Sequence, residues 1–278
     1  MSDYINFHKK NLIFKFFVRL TINLSTLFPA KIYTYFWNTA LSIINNSVRI
    51  NLSKNNTFLI NDSKYKIEIG YKKRFEYYMQ NISHRYDHLA YEYMFSNINF
   101  TNNDLIIDCG ANIGEIYLAL NHYSENLKFK YFGFEPNNYD FQILQRNTNN
   151  LVIEPLALYS QNIQKEFYLK GSTADSSFEN SRFGKKIIVN CVTLDSQFTN
   201  KEKIKLLKLE AEGFEYDVIR GAVDNLKNIE YISADLSFEL NNNTKSSYYD
   251  VNKYLEENNF QLLSENPRLV YLYKNKSF

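Results

Sequence analysis

The chain has 278 residues, enough for one large domain or a domain with a modest extension. Hydrophobic residues make up 45% and charged residues 22%, and 23 Tyr and 22 Phe exclude a disordered chain in favour of an aromatic-rich core. A net charge of +2 gives no case for a nucleic-acid footprint, while two cysteines, Cys109 and Cys191, exclude a disulfide scaffold or thiolate zinc cluster and fit a reducing cytoplasm.

The first stretch, roughly Asn11 to Val48, is apolar and aromatic but broken by Lys15, Arg19 and Lys31, so no window reaches the ~20 apolar residues of a spanning helix. The same charges split the apolar core of a would-be signal peptide. Two readings fit. Helices packed on the following domain, or at a homodimer interface, come first because basic-aromatic amphipathic segments are common in ordinary folds. The other is peripheral membrane contact, with Lys9, Lys10, Lys15 and Arg19 near anionic headgroups and Phe14, Phe16, Phe17 and Trp37 among them.

Short strand signals follow at Thr57–Ile60 and Tyr65–Ile69, and Arg74–Phe95 carries apolar residues at helical steps. From Asp104 strands and helices alternate. Strands are expected at Leu105–Asp108, Tyr131–Glu135, Val152–Leu158, Ile204–Glu210 and Glu230–Leu236. Helices are expected from about Ile113, Tyr139 and Phe214. A helix around Tyr248–Asn258 and strands Phe260–Ser264 and Leu269–Tyr273 close the chain. The pattern predicts an α/β fold with a doubly wound, mostly parallel sheet. An aromatic-rich, mainly helical extension with short strands over 1–100 precedes a second domain over 101–278. The latter is interrupted near 160–192 by a hairpin, Glu166–Leu169 and Lys186–Val192.

In such sheets ligands lie beyond the carboxyl ends of the strands, where strand order reverses. The first strand runs through Asp108 into Cys109-Gly110-Ala111-Asn112-Ile113-Gly114, where Gly110 permits a tight turn and Gly114 lets the next helix pack closely. A carboxylate at Asp108 would repel a pyrophosphate but attract an ammonium or sulfonium. S-adenosylmethionine carries both and no phosphate. Glu135, 21 residues beyond Gly114, stands where an acidic residue accepts both ribose hydroxyls. Pro136 ends that strand and opens the helix after Asn137. Each carboxylate alone could be a helix cap; together, at adjacent strand ends, they favour a nucleoside ligand.

Asp108-Cys109-Gly110-Ala111-Asn112-Ile113-Gly114 followed by Phe134-Glu135-Pro136-Asn137 resembles the opening motifs of the FkbM family of methyltransferases. Leu206-Leu207-Lys208-Leu209-Glu210-Ala211-Glu212-Gly213-Phe214-Glu215, running on to Gly221-Ala222, resembles that family's third signature, with Glu210 and Ala211 where Asp and Val are commonest. The resemblance spans about Asp104 to Leu240. It implies a seven-stranded, Rossmann-like methyltransferase sheet and methyl transfer to a hydroxyl of a sugar or polyketide-like acceptor. It also implies that Asp108, Gly110, Asn112 and Gly114 surround the methionine part of S-adenosylmethionine, Glu135 the ribose, and the segment around Ala157 the adenine, with Ala111, Pro136 and Asn137 among the cofactor-binding candidates.

A hydroxyl acceptor calls for a general base at the strand ends, and the candidates are Glu210, Glu212, Asp235 and Glu239. Glu215 reads better as a helix-start carboxylate. His84 and His88 have helical metal-pair spacing but no third ligand, so no metal is expected. Ser172, Thr173, Ser176 and Ser177 in the hairpin loop could meet a polyol, or simply reflect loop polarity. The expected partner is a small-molecule or glycan acceptor in the cytoplasm or at the inner face of the membrane. A nicotinamide-dependent oxidoreductase is the competing reading, opposed by Asp108 and the missing third glycine. A non-catalytic cofactor-binding or membrane-associated module is another.

Overall fold

The computed structural model describes residues 23, 25–149, 151, 154–169, 185–198, 202–240 and 245–278, the side chains of Glu239, Leu240 and Lys245 excepted. The basic residues Lys9, Lys10, Lys15 and Arg19 and the loop serines and threonine at 172, 173, 176 and 177 lie outside the described residues. Two compact units divide the chain, Met1–Ile82 and Ser83–Phe278.

In the first unit, helix α1 (Ala30–Ile43) buries Tyr33, Trp37 and Leu41 beside a three-stranded antiparallel sheet of β1 (Arg49–Leu52), β2 (Phe58–Asn61) and β3 (Lys66–Ile69). Asn38 fastens β1 to the helix through both halves of its amide: Nδ2 donates to Ile50 O at 2.8 Å, and Oδ1 accepts from Ile50 N at 2.9 Å. The long helix expected over Arg74–Phe95 is broken. A 3-10 helix covers Lys72–Tyr78 and α2 (Ile82–Glu92) begins only after it. Asn46 Nδ2 donates to the Met79 carbonyl at 2.8 Å, and Asp62 Oδ2 accepts from Ile82 N at 2.9 Å, so side chains fix the interruption that the periodicity hides.

The second unit is built on a six-stranded sheet of β4 (Leu105–Cys109), β5 (Lys130–Phe134), β9 (Ile204–Leu209), β10 (Ile229–Asp235), β13 (Phe260–Glu265) and β14 (Val270–Asn275). The spatial order is β13-β14-β10-β9-β4-β5. Strands β5, β4, β9 and β10 are parallel and β14 runs against them. Every residue of β4, β9 and β10 is buried, as strands covered on both faces must be. Strand order reverses at β4, which pairs with the next strand β5 on one side and with the later β9 on the other.

Helices α3 (Glu115–Tyr123), α4 (Asn138–Asn147), α5 (Leu194–Gln197), α6 (Glu215–Arg220) and α7 (Tyr248–Glu257) accompany the sheet. The strand expected at Val152–Leu158 is described only as β6 (Leu156–Leu158), and it does not extend the central sheet. It pairs in parallel with β8 (Lys185–Val192), whose other edge carries β7 (Ile163–Leu169). The hairpin read as an insertion thus captures β6 and leaves six described strands where seven were expected. A short ribbon, β11 (Phe238–Leu240) with β12 (Lys245–Ser246), follows β10. No helix among the described residues is long and apolar enough to cross a membrane.

Candidate functional site

The carboxyl ends of β5, β4, β9 and β10 lie side by side, and each carries an acidic residue within one position of its last residue. Asp108 is paired across from Gly133 and Lys208, and Glu210 N donates to Cys109 O at 3.2 Å. Asp108, Glu135, Glu210 and Asp235 therefore share one edge of the sheet.

The loop after β4 is shaped by backbone that an ordinary side chain resists. Gly110, Asn112 and Gly114 all have positive φ (+73°, +49° and +87°). At Gly110 there is also no room, since a Cβ would stand 2.0 Å from the Glu210 carbonyl oxygen. Gly110→Ala is therefore expected to destabilise by more than the ~1–2 kcal/mol of a left-handed Cβ alone, and to abolish cofactor binding even where the protein still folds. Denaturant unfolding with a ligand-binding assay measures both, and a variant that binds normally would show the close approach to be dispensable.

The loop amides point inward. Gly110 N and Ala111 N both donate to Phe134 O at 3.0 Å, and Asn112 N donates to Glu135 Oε2 at 2.9 Å. Glu135 Oε1 accepts from Asn137 N at 2.8 Å, and Asn137 Oδ1 caps α4 through Tyr139 N at 3.2 Å. Glu135 is thereby aimed by the β4 loop on one side and by the start of α4 on the other. Pro136 sits between them, partly buried. Burial, and after it the neighbouring Asp140, push the Glu135 carboxyl up to about 8, against the pull of the two amides and of Lys208. Ala157, buried in β6, packs with Phe167, Val189 and Cys191 in the three-stranded sheet.

Asp108 is fully buried and engaged by two partners: Tyr131 Oη donates to Oδ2 at 2.7 Å, and Lys208 Nζ lies 3.1 Å from Oδ1. Lys208 is the functional residue that the sequence reading passed over. Its ammonium, buried in the middle of the edge, also donates to Cys109 O at 3.1 Å and Gly110 O at 3.0 Å and lies 2.9 Å from Glu210 Oε2. The signal was there: a lysine inside the strand Ile204–Leu209, every residue of which is buried, must have a charged partner. Burial opposes the ammonium, yet Asp108 and Glu210 hold its pKa above the ordinary value. Burial alone would raise the Glu210 carboxyl too; Lys208 and a 2.8 Å hydrogen bond from Tyr93 Oη hold it below the usual range. Burial raises Asp108, with Lys208 and Tyr131 offsetting part of the rise. One lysine thus serves a carboxylate on each side of the loop.

The Glu210–Glu215 turn is clamped by Glu215, whose Oε1 accepts from Ala211 N at 2.8 Å and Gly213 N at 3.1 Å, while Oε2 accepts from Ser247 Oγ at 2.7 Å. Glu215 is therefore structural, beyond the helix-start role expected of it. Glu212 occupies left-handed backbone in this turn, with φ +51°. Asp235, buried at the end of β10, accepts from Ser237 N at 3.1 Å, with Arg268 3.9 Å away. Burial, and after it Glu210, raise its carboxyl to about 6. Arg268 also pairs with Glu92, and His88 stands 3.3 Å from that same carboxylate. Glu239 lies in β11, and its side chain is outside the described ones. Among the described residues no group of three His, Cys, Asp or Glu is arranged to hold a metal ion.

The donor set answers which cofactor such an edge could take. A pyrophosphate needs loop amides directed at it, and here three consecutive amides are spent on Phe134 and Glu135. A phosphate-free nucleoside with a positive charge fits strand tips that present Glu135 and Glu210, with Asp108 buried behind them on Lys208 and Tyr131.

No curated protein matches the sequence. Among solved structures, a methyltransferase FkbM from Methylobacillus flagellatus KT is 17% identical with a TM-score of 0.49, covering 73% of this chain. The match spans about half of that protein, 52% of its chain. A precorrin-6y C5,15-methyltransferase from Geobacter metallireducens GS-15 is 9% identical, with a TM-score of 0.37 over 64% of this chain and 82% of its own. The N-terminal domain of human METTL16, in complex with SAH, is 11% identical, with a TM-score of 0.36 over 86% of this chain and 92% of its own. The family model described as "Methyltransferase FkbM domain" matches residues 108–262, more than half the chain, beginning at the Asp108 strand tip and taking in the whole acidic edge. The chain belongs to the FkbM family of methyltransferases.

Proposed function

We propose that the protein is an S-adenosylmethionine-dependent O-methyltransferase whose acceptor is a hydroxyl of a carbohydrate or glycan precursor. The observation that carries the cofactor reading is the inward turn of the Gly110, Ala111 and Asn112 amides, which leaves the strand tips rimmed by carboxylates. Bound there, S-adenosylmethionine supplies an electrophilic methyl group on a sulfonium. Glu135 holds the ribose hydroxyls, and the β4 loop lies along the methionine part, fixed from behind by Lys208 through the Cys109 and Gly110 carbonyls.

On the acceptor side Glu210 and Asp235 differ in a useful way. Glu210, held low by Lys208, stays ionised and accepts hydrogen bonds, whereas Asp235, raised to about 6, is the stronger base near neutral pH. Carboxylates beside the half-exposed Arg268 guanidinium suit a polyol, and the carboxylates disfavour a phosphorylated acceptor.

Thermal-shift and calorimetric titration with S-adenosylmethionine or S-adenosylhomocysteine test the reading. A ligand at 100 times its Kd should add about 2.7 kcal/mol of stability. Glu135→Ala should remove most of that gain, and NAD should give none. Because ribose hydroxyls donate to an ionised carboxylate, binding should release a proton and weaken as pH falls below about 8. Stabilisation by NAD with none by either sulfur nucleoside would overturn the proposal.

A further inference from the structure

The family domain occupies residues 108–262 and leaves the first unit without a role. Helix α1 of that unit is apolar on two sides. One side, Tyr33, Trp37 and Leu41, is buried. The opposite side steps outward through Ile32, Tyr35, Thr39 and Ile43 at three- and four-residue spacing, with Leu27 and Phe28 before it and Ile44 after it. Leu27 is 80% exposed, Tyr35 75% and Ile43 77%. Single exposed apolar residues are ordinary, but an aligned stripe marks a surface that docks on something.

Charge says what. From residue 4 to residue 61 the chain has no Asp or Glu, while Lys9, Lys10, Lys15, Arg19, Lys31, Arg49 and Lys54 make the segment uniformly basic. The whole chain carries only +2, so the remainder is net acidic and the basic charge is concentrated here. Pairing with a second copy would bring two such basic segments together, and a nucleic acid would leave the apolar stripe uncovered. An anionic lipid surface satisfies both features: acyl boundary for the stripe, headgroup charge for the lysines and arginines. At about 21 Å the helix is too short to span a bilayer, so it would lie along the surface.

We propose that α1 docks the protein on anionic lipid bilayers, its Ile32–Tyr35–Ile43 stripe set into the headgroup boundary. The full chain should co-sediment with vesicles of equal phosphatidylglycerol and phosphatidylcholine, less so at high salt, and not with phosphatidylcholine alone. An Ile32→Glu/Ile43→Glu double variant, altered only at exposed positions, should melt at the same temperature yet bind at least about tenfold more weakly. In Tyr35→Trp, emission should shift to the blue with the anionic vesicles, Trp37 being buried and a constant background. Equal binding to both vesicle types, no binding to either, or full retention by the double variant would overturn the proposal. So would a dimer that the double variant dissociates without any vesicle binding, which would assign the face to a second copy.

Discussion

Replacing Lys208 by methionine is expected to destabilise the protein by about 3–5 kcal/mol, a large part of the roughly 5–15 kcal/mol that holds a domain folded. The magnitude follows from what the ammonium leaves behind. Asp108 is fully buried, so its carboxylate would face the interior with only the Tyr131 hydroxyl to satisfy it. The carbonyls of Cys109 and Gly110 would lose a charged donor in the same step. Denaturant unfolding of Lys208→Met gives the number, and a Lys208→Met/Asp108→Asn pair separates the causes. Removing both charges should recover part of the loss, because the penalty lies in the unpaired buried carboxylate rather than in the missing attraction. A cost under about 1 kcal/mol for the single variant would show that water reaches the site and that Lys208 does not organise the loop.

The same residue shows where reading the sequence stops. Strands β4, β5, β9 and β10 were legible to within a residue or so, because apolar runs ending in a carboxylate or a glycine turn leave few alternatives. The closing helix and both final strands were equally plain. Placement was harder than existence. β6 was expected in the central sheet and pairs instead with β8, since strand pairing is decided by which edge is free in three dimensions, which a single chain's pattern does not encode. β1 went unread because its four residues directly follow the apolar stretch that ends at Val48, and Asn38 on α1 holds it in place through hydrogen bonds.

At the site the acidic residues stood out because carboxylates at strand tips are conspicuous. Their pairing was not legible. Asp108, expected beside the sulfonium, spends its charge on Lys208 and Tyr131, while Tyr93, 117 positions away from Glu210, is its hydrogen-bond donor. Both facts depend on contacts across the sheet edge, where sequence separation says nothing about distance.

Changing Asp235 to asparagine is expected to lower kcat/KM for methyl transfer by about 10²–10⁴, the range of a lost general base. Binding of S-adenosylhomocysteine should stay within about twofold, since Glu135 and the β4 loop carry that interaction. The pH profile makes the assignment specific. Asp235 accepts a proton only when ionised, so kcat/KM of the parent should rise with pH and level off above about 6, and the variant should lack that limb. Stability should move the other way. A carboxyl raised in the folded state binds its proton more tightly there than in the unfolded chain. Ionising it therefore costs stability, and that cost grows from about pH 4 to about pH 6 and persists above. Asp235→Asn removes the charge, and the contact it gives up, Arg268 at 3.9 Å, is largely exposed and worth little. At pH 8 the variant should be at least as stable as the parent and nearly inactive, a combination that loss of structure cannot produce. Full activity with a shifted melting temperature would instead make Asp235 a structural acid and pass the proton to Glu210, Glu212 or Glu239.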